Sequence, residues 1–215
     1  MKIRAALLAL LVVCASAAWG MTAPPPSPTA YTPNIWKLDK ALSSTRDLDA
    51  RFVQTRRSPL LEGDDRASGT LLVQKPGLAR LEYKTPSPLT VWKRGDSAWV
   101  YTPTLKQVVV SPTGASGVPV GWVLGAKLAD IRRDADVHDT GSGVDIIPHA
   151  AAGLPWSKVG IRFGKDGFPN RYEFTESSGE SVVIELTSVR RNRGIPASRF
   201  RPSFPAGTRV VDTGS

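Results

Sequence analysis

The chain has one cysteine, Cys14, and two histidines, His138 and His149, among 215 residues. Cys14 lies in an apolar run, "AALLALLVVCASAA", behind the charged start Lys2 and Arg4. That run is too short to span a bilayer comfortably, and small residues follow at cleavage spacing, so residues 1–20 read as a secretory signal peptide. Val13 is bulkier than lipoprotein processing accepts, which argues against Cys14 as a lipidation site. A mature chain without cysteine has no disulfides, thiolate metal ligands or cysteine nucleophile, so an exported protein of this kind must be held by its core alone. The rest of the chain is long enough for such a core.

Catalytic patterns are missing as well. The two histidines are eleven residues apart, and neither H-x-x-x-H nor H-E-x-x-H occurs. "GASGV" misses the nucleophile-elbow spacing by one residue. "GIRFGKDG" lacks the spacing and following helix of a phosphate loop. His138 stands among Asp134, Asp136 and Asp139, but without the glycine and glutamate positions of a calcium loop, and reads as a solvated acidic turn. The expectation is a non-enzyme with no catalytic residues, no metal and no cofactor. A triad assembled only in space would leave no such trace.

Charge is in better supply. Lysine and arginine number 28 against 19 acidic residues; without Lys2 and Arg4 the excess is about +7. The cations cluster at Arg56-Arg57, Arg132-Arg133 and Arg190-Arg191-Asn192-Arg193. In an exported protein these fit acidic partner surfaces or anionic head groups rather than nucleic acid. Solvated loops and strand edges use the same residues.

Residues 21–33, "MTAPPPSPTAYTP", have the composition of an extended tether. Thr32-Pro33 reads as a helix start, and Ile35, Trp36, Leu38 and Leu42 as the apolar stripe of a helix of about three turns. "ARFVQTR" reads as the first strand. From Gly69 onward "GTLLVQKPG", "LARLEYKTPSP", "LTVWK", "SAWVYTP" and "KQVVVSP" are short strands with turn signals between them, an antiparallel meander. The connections are too short for parallel crossovers. "TGASGVPVGWVLGAKLAD" breaks the pattern and suits a short helix over Gly121–Ala129. Strands resume in "GVDIIPH", "SKVGIRFG", "RYEFTES" and "ESVVIELTSVRRN", with turns at Asp166-Gly167 and Ser178-Gly179. The tail "FRPSFPAGTRVVD" reads as irregular chain and a last edge strand.

One stretch departs from ordinary strand grammar. In "LTVWKRGDSAWVY", residues 89–101, both faces of a hairpin are apolar: Leu89 and Val91 against Trp92 on one strand, Ala98 and Val100 against Trp99 and Tyr101 on the next. A sheet with one wet face alternates apolar and polar. Two helices are little cover for about ten strands, and either ordinary core packing or an apolar ligand would complete it.

The run "FVQTR…GTLLVQKPGLARLEYKTPSPLTVWKRGDSAWVYTPTLKQVVV" resembles the periplasmic outer-membrane lipoprotein carrier family, the LolA family. Phe52-Val53-Gln54, Gly69, Lys75-Pro76, Tyr83, Pro86, Gly95-Asp96, Trp99-Val100-Tyr101-Thr102-Pro103 and Gln107 carry the resemblance. "FGKDGFPNRYEF" and "FRPSFPAGTRVVD" extend it to Asp212. It implies a mainly antiparallel α+β fold over 34–215, an open β half-barrel whose apolar concave face is lidded by an N-terminal helix and short lid helices. The implied function is that of a monomeric periplasmic chaperone. It would shield the acyl chains of lipoproteins and carry them from an inner-membrane exporter to an outer-membrane receptor. Leu42, Val123 and Tyr172 match cavity and lid positions; Phe52, Leu81, Trp92, Trp99, Tyr101 and Trp122 complete the expected apolar set. Lys75 stands where the family commonly has an arginine that holds the lid shut, with Arg80 as its alternative. Lysine keeps the charge but loses the planar fork. Ala79 replaces a bulky aromatic. These two departures keep open a carrier or sensor of another lipid, such as a glycolipid, polyketide or fatty acyl chain. Gly117, Gly121 and Gly125 are candidate hinges.

Overall fold

A computed structural model describes residues 32–59, 63–112 and 123–213. The expected leader, residues 21–31 of the expected tether, Trp122, Gly117 and Gly121 lie outside these residues, and Pro33, the last residue of the expected tether, belongs to the first helix.

Helix α1, Pro33–Ser44, begins where Thr32-Pro33 predicts, with proline in the first turn, where its missing N–H costs nothing. Ile35, Leu38 and Leu42 are buried at i, i+3 and i+7. Trp36, one position off that stripe, is 51% exposed, so it does not belong to the buried face as expected. The Asp139 carboxylate accepts both the backbone N–H and the side-chain amide of Asn34, at 3.0 and 2.9 Å. It anchors the positive end of α1 to the sheet.

Strands β1 (Asp47–Arg57), β2 (Asp64–Gln74), β3 (Leu78–Thr85), β4 (Leu89–Arg94), β5 (Ser97–Thr102) and β6 (Gln107–Pro112) form the expected meander. Gly95-Asp96 makes the two-residue β4–β5 turn, Gly95 at φ +57°. After residue 122 the chain differs from the expected single helix over 121–129. Residues 123–125 are helical, the helix is interrupted at Ala126-Lys127, and α2, Leu128–Asp134, follows. Lys127 is extended and its N–H is answered by the Asp130 carboxylate, which restarts the helix; Leu128 and Ile131 then bury one face. The expected acidic turn around His138 is instead strand β7, Ala135–Asp139, with Ala135 and Val137 buried and Asp136 and His138 outward. Strands β8 (Gly143–Pro148), β9 (Trp156–Phe163), β10 (Pro169–Glu176) and β11 (Ser181–Arg191) complete a second meander, and β12 (Arg209–Asp212) is the edge strand of the tail.

The twelve strands among the described residues form one sheet in the order β12-β6-β5-β4-β3-β2-β1-β11-β10-β9-β8-β7. β1 is the seam, antiparallel to β2 on one side and β11 on the other. Among the described residues, β12 alone pairs in parallel, with β6. The outermost strands β12 and β7 are not paired with each other, so the sheet stays open. At ~4.8 Å per strand a flat sheet of this size would be about 50 Å wide. Yet one continuous apolar cluster joins α1 and α2 to strands from β4 through β1 to β7. The sheet therefore curves round its helices. The fold is mainly antiparallel β, an open sheet with α1 and α2 packed on one side.

Candidate functional site

Strand register assigns every sheet residue to one of two faces, since side chains alternate along a strand. The helix-covered face carries Phe52 on β1, opposite Gly69 on β2, opposite Tyr83 on β3. It continues through Leu71, Leu81 and Val91 in one direction and Ile184, Tyr172 and Ile161 in the other. Gly69 is required here. A Cβ at that position would sit 1.9 Å from the Glu82 carbonyl oxygen and 3.0 Å from the Phe52 ring. Its absence lets Phe52 and Tyr83 meet edge to face, centroids 5.1 Å apart. Against this wall lie Leu38 and Leu42 of α1, Val123 and Leu124, and Leu128 and Ile131 of α2, all essentially buried.

Of the residues singled out by sequence, Leu42, Phe52, Leu81, Val123 and Tyr172 come together here. Tyr172 is fully buried, donates to the Pro169 carbonyl at 3.0 Å, and its phenol is pushed up by burial. Trp92, Trp99 and Tyr101 are elsewhere. Trp92 pairs with Arg80 and with Trp99, and Tyr101 with Thr90, all of odd parity to Leu81, Val91 and Val100. They occupy the outer face. That face is covered by the chain after β11: Ile195 and Phe200 pack with Leu72 and Leu78, and Phe204 packs against Tyr101 with ring centroids 6.1 Å apart. Arg80 lies over the Trp92 ring and donates to the Arg199 carbonyl. The doubly apolar hairpin is thus explained by cover on both sides, helices inside and the C-terminal segment outside. Trp122 lies outside the described residues.

The buried Asp47 carboxylate holds that segment, accepting the N–H groups of Arg193 and Gly194 at 2.7 and 3.0 Å. Its backbone carbonyl accepts from Asn192.

Lys75, in the turn between β2 and β3, donates to the Leu42 carbonyl at 2.6 Å and the Ala126 carbonyl at 2.8 Å. One ammonium thus ties the end of α1 to the break between residues 123–125 and α2. Burial, then the neighbouring Lys127, pull its pKa below the ordinary lysine value, with Asp130 opposing. Arg80, on the outer face, makes no such link. Ala79 is buried on the helix-covered face.

At the other end of β1 the wall opens. A cavity of about 250 Å³ is bounded by Gln54, Tyr83, Trp156, Phe174 and Val182, with Arg56 and Glu176 at its rim. Tyr83 donates to Gln54 Oε1 at 2.9 Å, and burial pushes its phenol up to about 12. Trp156 meets Phe174 edge to face at 5.4 Å. Sequence reading missed this group. Its signal was parity: Tyr83 lies two residues from Leu81, and Phe174 two from Tyr172.

Among the described residues no cluster of three or more His, Cys, Asp or Glu is arranged to hold a metal ion. Nor is any described helix long and apolar enough to cross a membrane.

The profile of the family described as "Outer membrane lipoprotein carrier protein LolA" matches residues 43–203. An outer-membrane lipoprotein carrier protein of Chromobacterium violaceum is 28% identical over 204 residues, covering 94% of this chain and 96% of that one. Its counterpart in Dechloromonas aromatica is 27% identical over 195 residues, with 85% and 89% covered. Among solved structures, a LolA-superfamily protein of Nitrosomonas europaea superposes with a TM-score of 0.48 at 13% identity, covering 79% of this chain and 97% of that one. The chain belongs to the LolA family of outer-membrane lipoprotein carrier proteins.

Proposed function

We propose that this protein is a periplasmic carrier that shields the acyl chains of lipoproteins between the helix-covered face of its sheet and the helices, taking them from the inner to the outer membrane. The observation that carries this reading is the position of Lys75. Two separate apolar covers, α1 and the 123–131 segment, are joined by hydrogen bonds from one ammonium rather than by covalent or sheet structure. Such a cover can part from the wall without breaking the strand ladder.

The physical need is large. Burying a methylene is worth about 0.8 kcal/mol, so one chain of fifteen methylenes costs about 12 kcal/mol to leave in water. A carrier that gained all of this could not release its load. Here the wall is already occupied by its own Leu38, Leu42, Val123 and Leu124. Cargo must displace them, and their return at delivery refunds part of the binding energy. The opening beside Tyr83 and Phe174 gives acyl chains a way in from the end opposite Lys75. The names of the relatives support lipoprotein as the cargo class; the exporter and receptor are the partners this role requires.

The test is to purify the mature domain gently from the periplasm and identify what co-purifies by native mass spectrometry. A bound triacylated lipopeptide or lipoprotein supports the reading. A glycolipid, polyketide or free fatty acyl species would move the assignment to a carrier of another lipid, the alternative that Lys75 and Ala79 leave open.

A further inference from the structure

A second concavity lies on the solvent side of α1, away from the apolar wall. It measures about 330 Å³ and is bounded by Trp36, Lys37, Lys40 and Ser44 of α1, the Asp166-Gly167-Phe168 turn between β9 and β10, and Arg191. Three of its walls are cationic, and each cation is set against an aromatic ring. Lys40 lies 4.8 Å from the centroid of Trp36, Arg191 4.5 Å from that of Phe168, and Lys37 5.8 Å from that of Phe163. Lys37 also donates to Asn34 Oδ1 at 3.3 Å. The ion pairs among the described residues include none of the three. The one carboxylate among the described residues of the groove, Asp166, turns an oxygen back to the Phe168 N–H at 3.1 Å. Elsewhere on the protein surface arginines commonly find carboxylates, as Arg56 does with Glu180 and Arg171 with Glu185.

Ring contacts restrain long side chains without neutralising them. Among the described residues, three oriented positive charges against one carboxylate give the groove an excess of about two positive charges, which a phosphodiester monoanion offsets in part and a free phosphate nearly in full. The indole of Trp36, half exposed, adds a flat apolar wall beside them, the pairing of polar tip and apolar body that suits a lipid–water boundary. We propose that this groove binds a phosphate group, the chemistry shared by a phospholipid head group and a free phosphate ion. Lys37, Lys40 and Arg191 contact the phosphate oxygens, and Trp36 packs on the glycerol carbons where the phosphate belongs to a lipid. The site is separate from the acyl-chain site, and its occupancy does not require the cover of the apolar wall to move.

The experiment has two arms on the mature protein. In the first, inorganic phosphate is titrated while the indole N–H of Trp36, identified through Trp36→Phe, is followed by NMR. In the second, co-sedimentation is measured with phosphatidylglycerol vesicles and with neutral phosphatidylcholine vesicles. Both use K37Q/K40Q/R191Q, and a control, R66Q/K84Q/R94Q, that removes three exposed cations elsewhere. The expected result is a saturable Trp36 shift, or phosphatidylglycerol binding, that falls at least tenfold in the first variant and less than threefold in the control. Vesicle binding identifies the head group as the source; a shift with phosphate alone identifies the free ion. Equal losses in both variants would reduce the effect to net charge and overturn the proposal. So would absence of both a shift and vesicle binding in the unmodified protein. Because all substituted residues are exposed, unchanged melting temperatures are expected throughout.

Discussion

Replacing Lys75 with methionine keeps the length of the stem and removes the ammonium that joins α1 to Ala126. A hydrogen bond involving a charged donor contributes about 1.5–3 kcal/mol net. Two are present, at 2.6 and 2.8 Å. Against them stands the cost of burying the charge, which is what lowers the lysine pKa. A net loss of about 2 kcal/mol is expected, with both carbonyls left to water as the cover loosens. That is about a thirtyfold rise in the population with the cover open, since each 1.4 kcal/mol is a factor of ten. The melting temperature should fall by roughly 4–8 °C. Hydrogen exchange followed by mass spectrometry reads the distinction that matters: faster exchange confined to 33–44 and 123–134, with β1, β2 and β11 unchanged. Uptake of an apolar fluorescent probe should rise in parallel. Lys75→Arg, which retains the charge and donors, should restore most of the protection. If exchange rises uniformly over the sheet, Lys75 is a general stabilising contact. If it is unchanged in both helical segments, the ammonium does not hold them.

Other expectations follow from single contacts. Gly69→Ala places a methyl group against the Glu82 carbonyl and the Phe52 ring; urea unfolding should show a loss of about 2–3 kcal/mol. Asp47→Ala removes the acceptor of the Arg193 and Gly194 N–H groups; a loss of about 2 kcal/mol is expected, with exchange rising over 192–204 and the Trp92 environment changing in near-ultraviolet circular dichroism. Tyr83, with its phenol raised to about 12, contributes stability that is whole below the ordinary phenol value near 10 and is lost as pH rises through about 12. A rise from about 10 to about 12 corresponds to about 3 kcal/mol, so Tyr83→Phe should flatten the decline in urea midpoint between pH 9 and 12. Tyr172 shifts in the same direction, so the comparison with the variant, not the absolute decline, is decisive.

Much of the architecture is legible before any coordinates. The Thr32-Pro33 start of α1, the Gly95-Asp96 turn and the meander strands each follow from one local rule. What is not legible is parity relative to cover. Trp92 and Leu81 are equally apolar and equally strand-like, and nothing in a period of two says which side the helices take. The answer depends on Ile195, Phe200 and Phe204, a hundred residues further on in an irregular segment. Trp36 fails for a related reason: a residue one step off a helical stripe is apolar in composition and wet in position. The break at Ala126-Lys127 depends on the Asp130 carboxylate answering the Lys127 N–H, a capping geometry that helical periodicity does not weigh. The strand at Ala135–Asp139 was obscured by its own outward side chains, Asp136 and His138, which lend it the composition of a turn. Lys75 was visible only as a position in a motif; that its ammonium meets Leu42 and Ala126 required the fold.

The proposed carrier role requires acyl chains to lie on the helix-covered face. It is tested most directly by placing a photoreactive amino acid at Leu42, Val123 or Tyr172, and in parallel at Trp99 or Tyr101, then irradiating each with a triacylated lipopeptide. Adducts through the acyl chains are expected from the first three positions and none from the last two. Adducts from Trp99 or Tyr101 alone would place the cargo on the outer face and contradict it.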